Sequence, residues 1–284
     1  MTKRILLATD LSARCDRALD RAAQIADEWQ AELVALNVLD PSALPDQMLA
    51  WAGGASESEL LRVAERQLRR DLANLKIGAR IRTQRTGDAA ETIRDVATEI
   101  DAALVVTGMA RDEALGRFLL GSTVERLARM LSLPLLVVRN RPHAPYRRIV
   151  VACDFSESSR QALMTAARLF PRRELILFHA RERFLGETPT EERLSRLRLD
   201  IERGECATFL ATCELPADVN VQPVIETGAP EASLARYVRQ HDVELVVMGA
   251  GTRNEVLGLL LGSTAAKLLD WLPCDSMVVS VPHN

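Results

Sequence analysis

Residues 4–12 read Arg-Ile-Leu-Leu-Ala-Thr-Asp-Leu-Ser, and residues 148–156 read Arg-Ile-Val-Val-Ala-Cys-Asp-Phe-Ser. A short run of apolar residues, then an acid and a serine, describes a buried strand followed by a turn that opens a helix. The nonapeptide returns at an offset of 144. Further on, Leu104-Val105-Val106-Thr107-Gly108 returns as Leu245-Val246-Val247-Met248-Gly249, at an offset of 141. Leu119-Leu120-Gly121-Ser122-Thr123 returns as Leu260-Leu261-Gly262-Ser263-Thr264 at that same offset. Three matches, in one order and nearly in phase, mean duplication of a domain of about 140 residues. The joint falls at Asn140-Arg141-Pro142-His143-Ala144-Pro145, where two prolines punctuate a polar stretch. The expected domains are 1–141 and 146–284.

Each repeat alternates short apolar runs with longer helical patterns. In the first, strands are expected at 4–9, 32–38, 80–85, 103–107 and 135–139. Helices are expected at 13–29, 58–76, 89–100 and 122–131. Runs such as Ala103-Leu104-Val105-Val106 suit strands covered on both faces. Strand–helix alternation then predicts an α/β fold: two tandem doubly wound, Rossmann-like domains. Each has a five-stranded parallel sheet in the order 3-2-1-4-5, with helices on both faces.

Composition agrees with two ordinary globular domains. The chain has 284 residues, 48% hydrophobic and 26% charged, with a net charge of -3. Residues 1–142 hold 20 basic and 20 acidic residues and the remainder 16 and 19, so neither half is basic enough to suggest nucleic acid. No apolar run approaches the ~18 residues of a membrane span. The N-terminus enters a strand directly, without a signal-peptide pattern. A cytoplasmic location is the expectation. Five cysteines without a C-x-x-C pattern read as reduced thiols, and Cys206 and Cys213 are too widely spaced for the usual zinc pair.

In such sheets ligands bind where the winding reverses, between the first and fourth strands. Asp10 and Gly108 end those strands in the first repeat, Asp154 and Gly249 in the second. Asp10 serves equally as a turn residue and as a ligand contact, and Ser12 as the cap of the next helix. Gly121-Ser122-Thr123 opens a helix, whose free N–H groups and positive dipole end favour phosphate. By itself Gly-Ser-Thr is also an ordinary cap. Its recurrence thirteen residues after a strand-ending glycine, in both repeats, is what singles it out.

On these residues the chain resembles a tandem member of the universal stress protein superfamily, over nearly its whole length. The resemblance is carried by Ala8-Thr9-Asp10-Leu11-Ser12, Gly87 and Gly108…Gly121-Ser122. The second copies are Ala152-Cys153-Asp154-Phe155-Ser156, Gly228-Ala229-Pro230 and Gly249…Gly262-Ser263. It implies the same fold, which is similar to that of the adenine nucleotide alpha hydrolases, and a role in the stress response. The family's nucleotide-binding branch carries G-x2-G-x9-G-[ST], which holds ATP phosphates. The resemblance therefore implies ATP, with Mg2+ as candidate companion. The implied first site is Thr9, Asp10, Val38, Gly108, Arg111, Gly121, Ser122 and Thr123; the second is Asp154, Ala180, Gly249, Gly262, Ser263 and Thr264. Asp10 with the backbone of Val38, and Asp154 with that of Ala180, would flank the adenosine. The middle glycine of the pattern is Arg111 in the first repeat and Thr252 in the second. The first crevice is favoured, because Arg111 can offer a cation where Thr252 cannot. In single-domain relatives the last strands pair between subunits. Leu135 to Arg139 and Met277 to Val281 are therefore expected to pair the repeats as an intramolecular pseudo-dimer, with a further homodimer left open.

Other patterns are weaker. Gly249-Ala250-Gly251 resembles a dinucleotide loop but lacks its third glycine, position 254 being Asn254. There is no Walker loop, nor the glycine-rich turn of ATP pyrophosphatases. His179 closes the second repeat's second strand and reads as a crevice residue or as one satisfied by backbone. Residues 40–57 form a long connection that is either a surface loop or a lid. Three readings follow: a nucleotide-binding regulatory protein, an interaction module with an unknown protein partner and no ligand, and at most a weak ATPase. No catalytic set and no metal site can be assembled.

Overall fold

Arg4–Thr9 forms β1, in which Ile5, Leu6 and Leu7 are fully buried. Three consecutive buried side chains require cover on both faces of the strand. That cover begins with α1, Ala13–Trp29. Its buried Cys15, Ala18, Ala22 and Ala26 recur every three or four residues, with Arg21, Ala23 and Ile25 buried beside them, so a face made mostly of small side chains is covered. The helix stops at Gln30, whose left-handed backbone (φ 51°) turns its N–H back to the carbonyls of Ala26 and Asp27.

The computed structural model describes residues 2–39, 57–73, 75, 79–85, 88–109, 111–112, 117–118, 122–181, 195–196, 199–251 and 261–281. The chain divides into two units, Met1–Pro145 and Tyr146–Asn284. In the first, β1 and α1 are followed by β2 (Glu32–Leu39), α2 (Glu57–Leu72), β3 (Ala79–Arg85), α3 (Ala89–Glu99), β4 (Leu104–Gly108), α4 (Ser122–Met130) and β5 (Leu135–Val138). A two-residue ribbon, Arg111–Asp112 against Arg117–Phe118, lies between β4 and α4. All the sheet pairings are parallel, and the order is β3-β2-β1-β4-β5. The helix expected over 58–76 ends earlier, at Leu72. There the N–H groups of Ala73 and Leu75 turn to carbonyls three residues back, the tightening that closes a helix.

The second unit repeats the plan. Its elements are β6 (Ile149–Ala152), α5 (Glu157–Leu169), β7 (Glu174–Arg181), a π turn at Glu202–Cys206 running into α6 (Ala207–Ala211), β8 (Asn220–Thr227), α7 (Pro230–Gln240), β9 (Leu245–Gly249), α8 (Ser263–Trp271) and β10 (Asp275–Val279). The order is β8-β7-β6-β9-β10, again parallel. Pro223 sits in β8, opposite Leu177. A proline can donate no ladder hydrogen bond, and β8 tolerates it because it pairs with a described strand on one side only. At the same place in the first unit, β3 carries arginines instead: Arg82 grips Glu99 with two hydrogen bonds of 2.8 and 2.9 Å, and Arg80 pairs with Glu32. Charge and proline are two ways of keeping a strand edge from pairing with strangers.

Cys15, Cys153, Cys206 and Cys274 are buried, and Cys213 is half-buried. Burial, aided by the Asp10 carboxylate, pushes the Cys15 thiol up to about 11, and burial pushes Cys153 up to about 12. Because the thiolate is the reactive species, these groups are held in their inert form. Titration of native thiols at pH 8 is expected to show a single fast site, Cys213, with the others reacting on unfolding. Two or more fast sites would contradict the burial.

Candidate functional site

The turn after the first strand is built alike in both units. Asp10 Oδ1 accepts hydrogen bonds from the Ser12 N–H (2.9 Å), the Ser12 hydroxyl (2.5 Å) and the Cys15 thiol (3.1 Å). Asp154 Oδ1 accepts from the Ser156 N–H (3.0 Å) and the Ser159 hydroxyl (2.6 Å). These bonds bend the chain so tightly that Leu11 and Phe155 lie at φ 62° and 63°. Bulky side chains rarely adopt such a conformation, and it occurs at the equivalent residue of both units. Both acids are therefore turn residues, and both also line a crevice. Burial works to raise the Asp154 carboxyl, but the Ser156 and Ser159 hydrogen bonds overcome it and leave the group below the usual carboxylate range. Asp154 is thus ionised at neutral pH. Ser156 caps α5, accepting from the Ser159 N–H at 3.3 Å. Ser12 holds the matching position, but its hydroxyl donates to Asp10 rather than capping α1.

The second strand supports this turn from the side. Asn37 Nδ2 donates to the Thr9 carbonyl (2.9 Å), and His179 Nδ1 meets the Cys153 carbonyl at 2.9 Å. A carbonyl only accepts, so Nδ1 of His179 carries the proton. Its ring stacks on Phe155, centroids 4.4 Å apart, and Phe155 in turn packs edge-on against Phe209. The two readings of His179 are compatible: it is satisfied by backbone, and it lines the crevice.

The far wall comes from the fourth strand and the helix after it. In the first unit a crevice of about 250 Å³ is lined by Thr9, Asp10, Val38, Gly108, Ser122 and Thr123, with Leu36, Ile93 and Met109 among its apolar walls. In the second, a crevice of about 320 Å³ is lined by Asp154, Ala180, Gly249, Gly262, Ser263 and Thr264, with Leu234, Met248 and Leu268. Gly262 is the N-cap of α8 and, being glycine, has no side chain with which to cap it. Its N–H donates to the Ala250 carbonyl at 2.9 Å, which sets the helix start against the strand end. A β-carbon at Gly262 would meet Gly251 Cα at 3.6 Å and the Ala250 oxygen at 3.9 Å, ordinary contacts, so the head of the helix has room for one. Uncapped N–H groups and the positive end of the helix dipole suit an anion there.

Gly121 and Thr252 lie outside the described residues, as do the side chain of Arg111, Gly87 and residues 40–56 of the long connection. The pattern residues did not point to Cys15, Ser158, Ser159 or Gly251, which also border the crevices. Nor did they point to two ion pairs whose acids adjoin the lining residues Ala89 and Pro230 in the chain, Arg126–Asp88 and Lys267–Glu231. The sequence did carry a signal for their basic halves: Arg126 and Lys267 both follow the glycine by five residues.

The sequence profile of the universal stress protein family matches the chain twice, at residues 1–139 and 145–280. A universal stress protein of Mycolicibacterium smegmatis is 27% identical, over 97% of this chain and 96% of its own. Among solved structures, a universal stress protein from Archaeoglobus fulgidus aligns with a TM-score of 0.71 at 19% identity, covering 98% of both chains. A Pseudomonas aeruginosa protein of unknown function aligns at 0.67 and 20%, over 98% of this chain and 92% of its own. At such identities the structural likeness speaks for the fold alone.

Proposed function

The chain belongs to the universal stress protein family, and from that premise we propose that at least one of its two crevices binds ATP or a related adenine nucleotide, in a regulatory role rather than for turnover. One arrangement, present twice, carries the reading: an acid-bearing turn faces a helix that begins with serine and threonine, across a glycine that ends the fourth strand. The two sides are electrically unlike. The N–H groups at the start of α4 or α8 attract phosphate. An ionised carboxylate repels it, so Asp10 and Asp154 belong on the nucleoside side, where hydroxyl groups can donate to them. The apolar walls suit a base, and the backbones of Val38 and Ala180 can read its edge. Among the described residues no three metal-ligating side chains come together, so a magnesium ion would arrive with the phosphates.

Two measurements test this reading. Protein purified without added nucleotide is denatured, and the released small molecules are identified by mass spectrometry. Calorimetry then follows ATP with magnesium onto the ligand-free chain. The expected results are a co-purified adenine nucleotide or saturable binding below millimolar ATP. No ligand released and no heat at millimolar ATP would favour the other reading, an interaction module that uses the fold without nucleotide.

A further inference from the structure

Neither crevice has a lysine or arginine among its described lining residues, and each has an aspartate. Among those residues, a phosphate chain entering either would find no basic side chain to meet its negative charges. The nearest remedy along the helix is the same in both units. Arg126 lies four residues after Ser122 in α4, and Lys267 four after Ser263 in α8. Residues four apart share a helix face, and helical side chains lean back toward the N-terminus. Both cations therefore reach toward the level of the helix start.

Their partners fix that level independently. Arg126 Nη2 donates to Asp88 Oδ2, and Asp88 is the N-cap of α3, one residue before the crevice residue Ala89. Lys267 Nζ donates to Glu231 Oε1 at 3.0 Å, and Glu231 follows the crevice residue Pro230 at the start of α7. The acids are not equivalent positions: adding the repeat offset of 141 to Asp88 leads to Ala229, not Glu231. The two repeats thus hold an equivalent cation at the same place with different carboxylates. The basic side chains are exposed, at 50% and 52%, whereas their acids are less so, Asp88 at 27% and Glu231 at 13%. Water reaches the cation of each pair, so for the basic side chain an exchange of partner costs little.

We propose that Arg126 and Lys267 are the cations with which the two crevices meet the phosphates of a bound nucleotide, each kept at the rim by a carboxylate of the neighbouring helix that it can exchange for phosphate. The inference rests on the nucleotide reading of the crevices. It also goes beyond that reading, because neither residue belongs to the glycine pattern.

The test compares ATP, adenosine and inorganic tripolyphosphate on the full chain by calorimetry. The variants are Arg126→Gln/Lys267→Gln and, separately, Glu231→Gln. Losing a charge-assisted contact should weaken ATP about tenfold and leave adenosine within about twofold. Glu231→Gln frees the ammonium and should leave ATP binding as tight or tighter. Unchanged ATP affinity in the double variant would overturn the inference. So would equal losses for ATP and adenosine, or weaker ATP binding in Glu231→Gln, each of which would make the pairs braces and not donors. Tripolyphosphate separates this failure from that of the nucleotide reading. If it binds the parent chain and not the double variant while ATP and adenosine show no base-dependent affinity, the cations stand and the nucleotide does not. If no probe binds the parent chain, both fall.

Discussion

Alanine at position 249 is expected to destabilise the second unit by roughly 3 kcal/mol, the upper end of the range for overpacking a close-packed site. A β-carbon there would lie 2.7 Å from the carbonyl carbon, the Cβ and the oxygen of Ser158. Two of those atoms are backbone in the first turn of α5, and Ser158 is itself buried, so nothing at the far end of a flexible chain can swing aside. Either α5 lifts from the end of β9 or the strand end shifts. Either movement disturbs the turn that Asp154 organises through Ser156 and Ser159. Thermal unfolding should show a melting temperature lower by roughly 10 °C in the transition that reports on this unit. A change within about 1 °C would mean that the helix start is softer than its packing indicates. Gly249 therefore has a reason to be glycine before any ligand is considered.

Aspartate at position 262 is expected to do the opposite: to spare the fold and abolish binding in the second crevice. Gly262 has φ -56° and ψ 146°, a conformation open to any residue, and the space for a β-carbon is there. Aspartate is moreover a favoured N-cap, so the uncapped helix gains a partner for its N–H groups and stability should move by only a few tenths of a kcal/mol. That partner occupies the groups a phosphate needs and adds a like charge beside it. At roughly 4 Å, with a surface-like dielectric, the repulsion is about 4 kcal/mol, enough to weaken ATP binding in that crevice by a hundredfold or more. The matching change, Gly121→Asp, addresses the first crevice. Calorimetry on the two single variants assigns nucleotide to one crevice or both. Undiminished ATP binding in the variant carrying both changes would place the ligand elsewhere.

These two glycines show how far the sequence could be read. Gly249 and Gly262 were legible as a spaced pair, because a repeat exposes any residue that keeps its distance from its neighbours. That a β-carbon is excluded at Gly249 by a helix and tolerated at Gly262 was not legible. The distinction depends on Ser158, a residue far away along the chain and absent from the pattern.

The sequence by itself determined the duplication, the parallel sheet and the order of its strands. Each follows from local quantities: apolar runs of strand length, helical periodicity between them, and the handedness that limits how such units can be wound. It also determined that an acid and a Gly-Ser-Thr helix start would share one end of each sheet, since strand direction alone puts them there. The tertiary structure decided what those residues do to one another. Only there does the acid force Leu11 and Phe155 into left-handed backbone. Only there do Asn37 and His179, on a neighbouring strand, tie down the carbonyls of Thr9 and Cys153. The ion pairs Arg126–Asp88 and Lys267–Glu231 join residues 38 and 36 positions apart. Contacts of this kind belong to pairs of distant residues, and no periodicity along the chain encodes them.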